Sequence, residues 1–427
     1  MLRSVLSPFE AFFRAEALGG TAVALATLVA LALANSPWAE SYAELWSTRV
    51  RFGAVTVGLE KPLVLWVNDL LMAIFFLLVG LEIKRELVQG ELDTPRKAAL
   101  PALAALGGMV VPALLFLAVT RATPAAVGWG VPMATDIAFA LGALRILGAR
   151  VPPALIVFLT AIAVVDDLGA ILVIAVFYAG ELSPAAHVLA VCFTLALVAM
   201  NRAGVRTPGW YVLVGLPLWV AVLKSGVHAT VAGVVVGLCV PTRPRFARAE
   251  LLAEGRALLD AAERAPDDGA ALDAVVTLRH RCQGSESPGV RLEHALQPFV
   301  AFLVVPAFAL ANAGIPLAGI GLPDLTAPVT LGAGLGLVLG KQAGVLGATW
   351  LAVRAGLGQL PSGVGWRHVH GASALAGIGF TMSLFVASLA YEEGSTLHRQ
   401  AKLGVLLASL VAGALGGVLL HRAGRPA

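Results

Sequence analysis

The chain has 427 residues, of which 58% are hydrophobic and 13% charged, and its mean hydropathy is +0.85. A soluble domain of this length carries far more charge, so the composition excludes a soluble globule and indicates a polytopic membrane protein. The net charge is only +4, and we expect no nucleic-acid partner. The three cysteines, Cys192, Cys239 and Cys282, lack the spacing of metal ligands, which argues against a zinc site or a disulfide framework.

Apolar segments recur with roughly the ~20 residues that a helix needs to cross a bilayer. Before the first of them, apolar residues alternate with Arg3, Glu10 and Arg14, which predicts a short helix on the membrane surface. The predicted membrane helices are 12–35, 63–83, 98–120, 123–146, 152–178, 184–201, 209–223, 226–241, 294–314, 328–353, 368–390 and 401–421. The sequence therefore predicts an all-α polytopic membrane protein with about twelve transmembrane helices, forming one transmembrane domain over residues 1–427.

Lysine and arginine are distributed unevenly between the two sides of this topology. An even number of spans puts both termini on one side, and placing them in the cytoplasm puts 22 of the 30 Lys and Arg residues there. Six lie outside, and without the long loop at 242–292 the ratio is still 14 to six. The positive-inside rule therefore predicts a multi-pass protein with both termini in the cytoplasm.

Two connections have patterns of their own. Residues 46–58 alternate β-branched or aromatic residues with small or polar ones around Gly53, which predicts a small β-hairpin on the outer side. Residues 242–292 form a cytoplasmic loop rich in Arg, Asp and Glu, with helical spacing in part and a break at Pro266. We interpret this loop as a solvated, partly helical hairpin rather than as a separate functional domain.

Four charged residues lie alone in the middle of long apolar intervals. Asp166 and Asp167 are the only charges between positions 150 and 181, Asp136 between 121 and 145, and Lys341 between 324 and 354. One such charge at the bilayer centre costs about 2.5–3.5 kcal/mol on insertion scales, so four of them indicate a function at mid-depth. An Asp–Lys pair that ties two helices together is the structural alternative, but it accounts for two of the four charges at most.

Asp166 and Asp167 are neighbours, and neighbouring positions on an α-helix point about 100° apart. The two carboxylates therefore cannot face one target squarely, and we expect one to meet Lys341 while the other faces an ion cavity. Close carboxylates titrate as a unit, so protonation and cation binding can exclude each other. This exclusion is the minimum machinery of a proton-coupled antiporter, and hard oxygen ligands suit Na⁺ or Li⁺ rather than a transition metal.

Two segments contain residues that interrupt helices. Pro132 and Thr135 precede Asp136, and Gly377 and Gly379 lie in the middle of the eleventh predicted span. Broken helices offer free carbonyls and helix ends to an ion at mid-depth. Close helix packing is the alternative explanation for the glycines, and the residues alone leave both open.

Other functions need features that the spans lack. A sodium-coupled symporter of a small organic solute needs a larger polar cavity than these spans can line. A membrane prenyltransferase needs acidic clusters in water-facing loops, and an intramembrane aspartyl protease needs a Gly-x-Gly-Asp segment on a separate helix; the sequence has neither. We therefore favour an antiporter, which is not an enzyme and needs no cofactor, and keep the symporter and a passive Na⁺ channel as alternatives.

Eight stretches of the chain form long and specific motifs in a defined order: NDLLMAIFFLLVGLEIKREL (68–87), ATDIAFALG (134–142), AVVDDLGAI (163–171), LKSGVHATVAG (223–233), RLEHALQP (291–298), FALANAG (308–314), GK (340–341) and GIGFTMSLFVASLA (377–390). With these motifs the chain resembles the NhaA-type sodium/proton antiporters along nearly its whole length. The resemblance implies inverted repeats, two interrupted helices that cross at the midplane, and a place in the bacterial inner membrane.

The resemblance also implies roles for the mid-depth charges. Asp167 would be the principal cation ligand and a proton carrier, and Asp166 would pair with Lys341 and release it when the cation enters. Thr135 and Asp136 match the interrupted fourth span, whose crossing with the eleventh forms the family's ion site. The family expels Na⁺ or Li⁺ in exchange for a larger number of protons, and each net inward charge gains about 2.3 kcal/mol per 100 mV.

Six residues match positions that the family associates with its response to pH: Glu82, Arg85 and Glu86 at the end of the second span, Glu293 and His294 before the ninth, and His228. The alternatives are a solvated helix end for the charges and a packing role for His228. The chain departs from some members at Gln297, where they have a second histidine, and at Gln342, where they have a proline. The hairpin at 46–58 matches an element that joins two protomers, so we expect a homodimer in the lipid bilayer.

Overall fold

The computed structural model describes the backbone of residues 7–52, 59–121, 123–244, 248–265 and 267–424. The predicted surface helix around Arg3, Glu10 and Arg14 falls outside the described side chains. The helices are α1 (Ser7–Ala34), α2 (Ala39–Ser47), α3 (Leu63–Gln89), α4 (Pro95–Thr120), α5 (Ile137–Leu147), α6 (Pro153–Phe177), α7 (Pro184–Arg202), α8 (Pro208–Ser225), α9 (Thr230–Cys239), α10 (Arg248–Glu263), α11 (Asp268–Ser285), α12 (Pro288–Asn312), α13 (Leu322–Leu325), α14 (Pro328–Arg354), α15 (Trp366–Leu375), α16 (Phe380–Ala390) and α17 (Thr396–Ala423).

Most of these helices form a membrane bundle. Within the described chain, eight are long and apolar enough to cross a membrane: α3, α4, α6, α7, α8, α12, α14 and α17. Two bent pairs pass the same test, α1 with α2 at 114° and α15 with α16 at 44°, and α5 and α9 are shorter apolar helices. These elements correspond to the predicted spans, so the prediction of an all-α polytopic membrane protein is confirmed.

Proline sets the start of many membrane helices. α4, α6, α7, α8, α12 and α14 each begin at a proline. The fixed φ of proline suits the first helical position, where its missing N–H would have no partner in the helix anyway. At the other end of α8, Gly226 has a φ of +89°, the left-handed conformation that commonly ends a helix.

Glycine allows two helix pairs to touch backbone to backbone. A Cβ on Gly233 of α9 would meet the carbonyl oxygen of Ala73 in α3, and a Cβ on Gly107 of α4 would meet that of Gly344 in α14. In lipid the hydrophobic effect does not drive helices to associate, so close van der Waals contacts of this kind stabilise membrane bundles. The second crossing fixes α14, which contains Lys341, against α4.

The apolar core lies between α3, α4, α12 and α16. Phe76, Phe116, Phe308 and Phe385, one from each of these helices, are all at most 1% exposed. The rings of Phe76 and Phe308 lie 5.6 Å and 6.1 Å from that of Phe385, in the range where aromatic pairs stabilise a core. This aromatic centre supports α16, the second half of an interrupted span.

A small sheet and a long loop join helices of the bundle; the Trp66 indole of α3 donates to the Val50 carbonyl in this sheet at 3.0 Å. β1 (Arg49–Phe52) pairs antiparallel with β2 (Leu59–Pro62), in the register Arg49↔Pro62 to Phe52↔Leu59. The second strand therefore follows the range 46–58 proposed for the hairpin, and residues 53–58 lie outside the described chain. In the 242–292 loop, α10 packs against α11, with Arg281 Nε 3.1 Å from Glu254 Oε2; the break proposed at Pro266 also lies outside the described residues.

Candidate functional site

Two interrupted spans are joined by hydrogen bonds inside the bundle. In one, a 3-10 segment (Pro124–Gly130) and a non-helical stretch precede α5; in the other, residues 376–379 separate α15 from α16. The Asp136 N–H donates to the Ile378 carbonyl at 2.6 Å, and the Thr135 hydroxyl donates to the Ala376 carbonyl at 2.9 Å. Residues in one break thus form hydrogen bonds with backbone groups of the other break that have no partner within their own helix.

Gly377 and Gly379 lie in the second break, where there is no room for a side chain. A Cβ on Gly377 would meet the Leu337 carbonyl oxygen, and one on Gly379 would meet the Ser383 hydroxyl and lie 3.0 Å from the Ala134 carbonyl oxygen. Gly377 and Gly379 therefore lie at a helix break and also at a close packing contact, so the two alternatives left open by the sequence do not exclude each other.

The Asp136 carboxylate joins the two half-helices that start at this crossing. Its Oδ1 accepts from the Phe139 N–H at 3.3 Å, which caps α5. Its Oδ2 accepts from the Thr381 N–H at 2.9 Å and from the Thr381 hydroxyl, in the first turn of α16. A negative charge is favoured at a helix N-terminus, and here one carboxylate serves two N-termini.

Asp166 and Lys341 form a buried ion pair beside the crossing. Lys341 Nζ lies 2.7 Å from Asp166 Oδ2, and the two side chains are 1% and 0% exposed. The Thr135 N–H donates to the same Oδ2 at 2.8 Å, so this oxygen touches both the lysine and the first break. The other oxygen, Oδ1, is buried and has no hydrogen-bond partner among the described residues.

A π-helical turn, Gly336–Gly340, comes immediately before Lys341 in α14. The Lys341 N–H bonds the Gly336 carbonyl, five residues back, and the side-chain amide of Gln342 donates to the Val338 carbonyl at 2.7 Å. Such turns are rare and frequent at functional sites. Gln342, which replaces the proline of some relatives, thus supplies a side-chain donor to the turn that positions the lysine.

Asp167 differs from its neighbour. It is 5% exposed, and its carboxylate receives no hydrogen bond and no ion pair within the described part of the chain, with Oδ1 fully buried. The 100° turn between adjacent residues therefore separates one paired carboxylate from one carboxylate without a partner in the described part of the chain. The open oxygens of Asp166 and Asp167 are chemically suited to a proton or a small hard cation.

A second group of charges lies near the ends of α3 and α12. Arg85 is 4.0 Å from Glu82, 3.4 Å from Glu86 and 3.3 Å from Glu293. The structure thus brings together four of the six residues matched to the pH response, around one guanidinium. His294 is exposed beside Glu293.

His228 lies far along the chain from these charges, in the turn between α8 and α9. Its Nε2 is 3.5 Å from Asp69 Oδ1, its Nδ1 is 2.8 Å from the Thr230 hydroxyl, and its ring contacts Phe385 edge-on. Lys61 Nζ lies 2.6 Å from Asp69 Oδ2, so the Asp69 carboxylate contacts both the lysine and the imidazole.

The residues chosen from the sequence did not include Thr381, Asp69 or Lys61. Thr381 lies within GIGFTMS, two residues after Gly379, and a hydroxyl at the start of a half-helix is a signal that could have identified it. Asp69 lies near the end of its span, so its charge is not isolated in an apolar interval. Only the fold brings it to His228 from 159 positions away along the chain.

Comparison with known proteins agrees with this architecture. The family model described as Na⁺/H⁺ antiporter 1 matches residues 10–420. The chain is 50% identical to the Na⁺/H⁺ antiporter NhaA of Oleidesulfovibrio alaskensis over 425 residues, covering 98% of this chain and 94% of that protein. It is 48% identical to the NhaA of Albidiferax ferrireducens, with 98% of both chains covered, and 47% identical to NhaA 2 of Syntrophotalea carbinolica, with 97% and 96% covered.

These relatives are antiporters rather than enzymes, channels or solute symporters by their names. The family model covers residues 10–420, so the matched region includes both interrupted helices, the two neighbouring aspartates and the lysine. The chain therefore belongs to the NhaA-type Na⁺/H⁺ antiporter family.

Proposed function

We propose how this family member exchanges Na⁺ for H⁺: Asp167 binds either the transported cation or a proton, and Asp166 and Lys341 respond to which is bound. The observation that carries the proposal is the contrast between two neighbouring buried carboxylates, one 2.7 Å from a lysine and one without a partner among the described residues. An unpaired buried carboxylate is costly. A proton or an alkali cation removes that cost, and the two compete because they need the same oxygens.

In this proposal, Asp166 exchanges Lys341 for the cation because of electrostatic repulsion between the two positive charges. A cation at Asp167 adds positive charge beside Asp166 and opposes the ammonium of Lys341. We infer that Lys341 then leaves Asp166, so that the oxygens of Asp166 join those of Asp167 around Na⁺ or Li⁺. The Thr135 N–H shares Asp166 Oδ2 with the lysine, and this bond couples ion binding to the interrupted span.

Asp136 has a different role in this proposal. Its two oxygens accept hydrogen bonds from Phe139 and Thr381, which leaves it less available to a cation than Asp167. We propose that it keeps the two half-helices together and adds negative charge that attracts cations to mid-depth. Its charge also offsets the positive N-terminal ends of α5 and α16.

We propose that the charges around Arg85 regulate exchange by pH. One guanidinium is shared by Glu82, Glu86 and Glu293, so protonation of any of these carboxylates changes how the others bind it. Glu82 also lies within electrostatic reach of Asp167, which offers a route from this cluster to the ion site. For His228 we propose a packing role in the turn before α9, because its ring packs edge-on against Phe385 and its Nδ1 contacts the Thr230 hydroxyl.

The finer assignments of place and assembly are also proposals. The excess of Lys and Arg on one side supports an inner-membrane protein with both termini in the cytoplasm. The strands β1 and β2 form a two-stranded sheet in which Arg49, Val50 and Arg51 of β1 are exposed, and an exposed strand edge can pair with a second chain. We propose that this sheet joins two protomers of a homodimer.

The test of the ion site is Asp167→Asn. The amide keeps the shape of the side chain but can neither lose a proton nor carry the charge that binds Na⁺. In everted vesicles with a proton gradient, we expect wild-type protein to cause Na⁺-dependent alkalinisation and the folded variant to cause none. Asp93→Asn, at an exposed position, is the control and should behave as wild type; substantial exchange by Asp167→Asn would remove Asp167 from the centre of the mechanism.

A second measurement separates exchange from leak. Competition predicts that the purified protein releases protons when it binds Na⁺, so the calorimetric heat of Na⁺ binding should depend on the ionisation enthalpy of the buffer. A passive channel would give heats that are independent of the buffer.

A further inference from the structure

An apolar groove of about 860 Å³ lies on the outer surface of the bundle, between α1, α5, the second break and α17. Several of its lining residues are also large exposed hydrophobic residues, among them Leu28, Ile146 and Leu410, at 63%, 90% and 72% exposure. The surface around the groove therefore faces lipid. Ligand pockets for small molecules measure ≈ 300–1,000 Å³, so the groove has room for a long hydrocarbon chain.

One end of the groove carries a cation that the described residues do not pair. Arg145, in the last turn of α5, lines the groove, and its Nη1 is buried without a hydrogen-bond partner. An unpaired guanidinium N–H in apolar surroundings costs free energy. A ligand with an anionic oxygen at this end would remove that cost.

Further positive charge lies at the same end of the bundle. Arg150 Nη1 is 2.7 Å from His421 Nδ1, which joins the chain after α5 to the C-terminal end of α17, where Arg422 follows. Within the described residues, no Asp or Glu forms an ion pair with Arg145, Arg150 or Arg422. Basic pockets between membrane helices near the cytoplasmic surface are suited to phosphate headgroups.

We propose that this groove binds an anionic phospholipid from the leaflet on the side of the chain termini, with an acyl chain in the apolar part and the phosphate at Arg145. The apolar lining and the unpaired guanidinium together select an amphiphile with a negative headgroup. A free phosphate would not fill the groove, and a neutral lipid would leave the excess positive charge unbalanced.

The groove touches the backbone that holds the ion site. Ile378, Phe380 and Phe139 line it, and the Ile378 carbonyl and the Phe139 N–H are both bonded to Asp136. A bound acyl chain therefore contacts the crossing of the two interrupted spans and limits its movement. This consequence rests on the proposed ion site, whereas lipid binding itself does not.

The glycines of the groove provide a matched pair of variants. A Cβ added at Gly142, which lines the groove, meets no atom within 4 Å, so Gly142→Leu can start its side chain without a backbone clash and occupy part of the groove. Gly417 on α17 is equally open but does not line the groove, and Gly417→Leu is the control. Arg145→Gln tests the headgroup contact.

The experiment is native mass spectrometry of the purified full-length protein with phosphatidylglycerol or phosphatidylcholine of identical acyl chains. We expect wild type and Gly417→Leu to retain phosphatidylglycerol about fivefold more strongly than phosphatidylcholine, the contribution of one basic residue. Arg145→Gln should retain the two lipids equally, and Gly142→Leu should retain less of both. Asp167→Asn should bind lipid as wild type does, which separates this test from that of exchange.

Two results would overturn the proposal. One is equal retention of both lipids by the wild type. The other is a Gly142→Leu variant that holds as much phosphatidylglycerol as the wild type, as it would if residues of this chain's own N-terminus covered the groove.

Discussion

Lys341 and Asp166 lie 2.7 Å apart in a place where neither side chain is more than 1% exposed. Burying both charges costs about as much as their attraction returns, so such a pair contributes little net stability compared with two apolar residues. Removing one partner is different, because it leaves the other charge buried and unpaired. This asymmetry suits the proposed mechanism, in which the pair opens when a cation binds and forms again when the cation leaves.

Lys341→Ala should lower stability by about 3–5 kcal/mol, the cost of an uncompensated buried charge. The measurement is the melting temperature of purified protein, together with the pH profile of exchange. Lys97→Ala is the matched control, because Lys97 pairs with Asp93 on the surface and exposed pairs contribute about 0–1 kcal/mol. Adding Asp166→Asn to Lys341→Ala should recover part of the loss; an unchanged melting temperature in Lys341→Ala would argue against the pair.

At the scale of elements, the site is made by two incomplete helices rather than by any whole one. Asp136 begins one half-helix and bonds the first turn of the other through Thr381, and the Thr135 hydroxyl bonds the other break. Neither break has a full set of backbone partners alone, and unsatisfied backbone groups are expensive in a membrane. The two breaks are therefore stable only as a pair, which is why a shift of one should move the other.

Gly377→Ala should disrupt this crossing, because the added Cβ would meet the Leu337 carbonyl oxygen of α14. We expect a lower melting temperature and loss of exchange, since the backbone of the break or of the π-helical turn must move. Gly417→Ala, where the Cβ meets nothing within 4 Å, should leave both unchanged or slightly raise stability through helix propensity. Wild-type exchange by Gly377→Ala would show that the close approach is not needed for transport.

At the scale of the whole molecule, we propose that the buried charges at the crossing make exchange electrogenic and therefore dependent on voltage. Three carboxylates and one lysine surround the crossing, so the site has acidic groups for more than one proton per Na⁺. An exchanger that takes in more protons than the Na⁺ it expels moves net positive charge inward. Each such charge gains about 2.3 kcal/mol from an inside-negative potential of 100 mV.

Proteoliposomes loaded with Na⁺ and K⁺ and treated with valinomycin test this prediction without a pH gradient. The inside-negative potential should accelerate Na⁺ efflux and acidify the interior, and vesicles with Asp167→Asn should show neither effect. Efflux that is equally fast at zero potential would indicate electroneutral exchange instead.

The sequence by itself determined the polytopic membrane fold, and it singled out the four charges because each is isolated in a long apolar interval. It also determined that Asp166 and Asp167 must face different targets, since helical geometry is local. It could not decide that Thr381 bonds Asp136 or that Asp69 lies beside His228, because these contacts join distant segments. The residues alone also left open which carboxylate meets Lys341, and only the resemblance implied Asp166. In the tertiary structure a glycine crossing places α14 against α4, Lys341 lies 2.7 Å from Asp166, and the crossing of two broken helices brings the Thr135 N–H to the same oxygen.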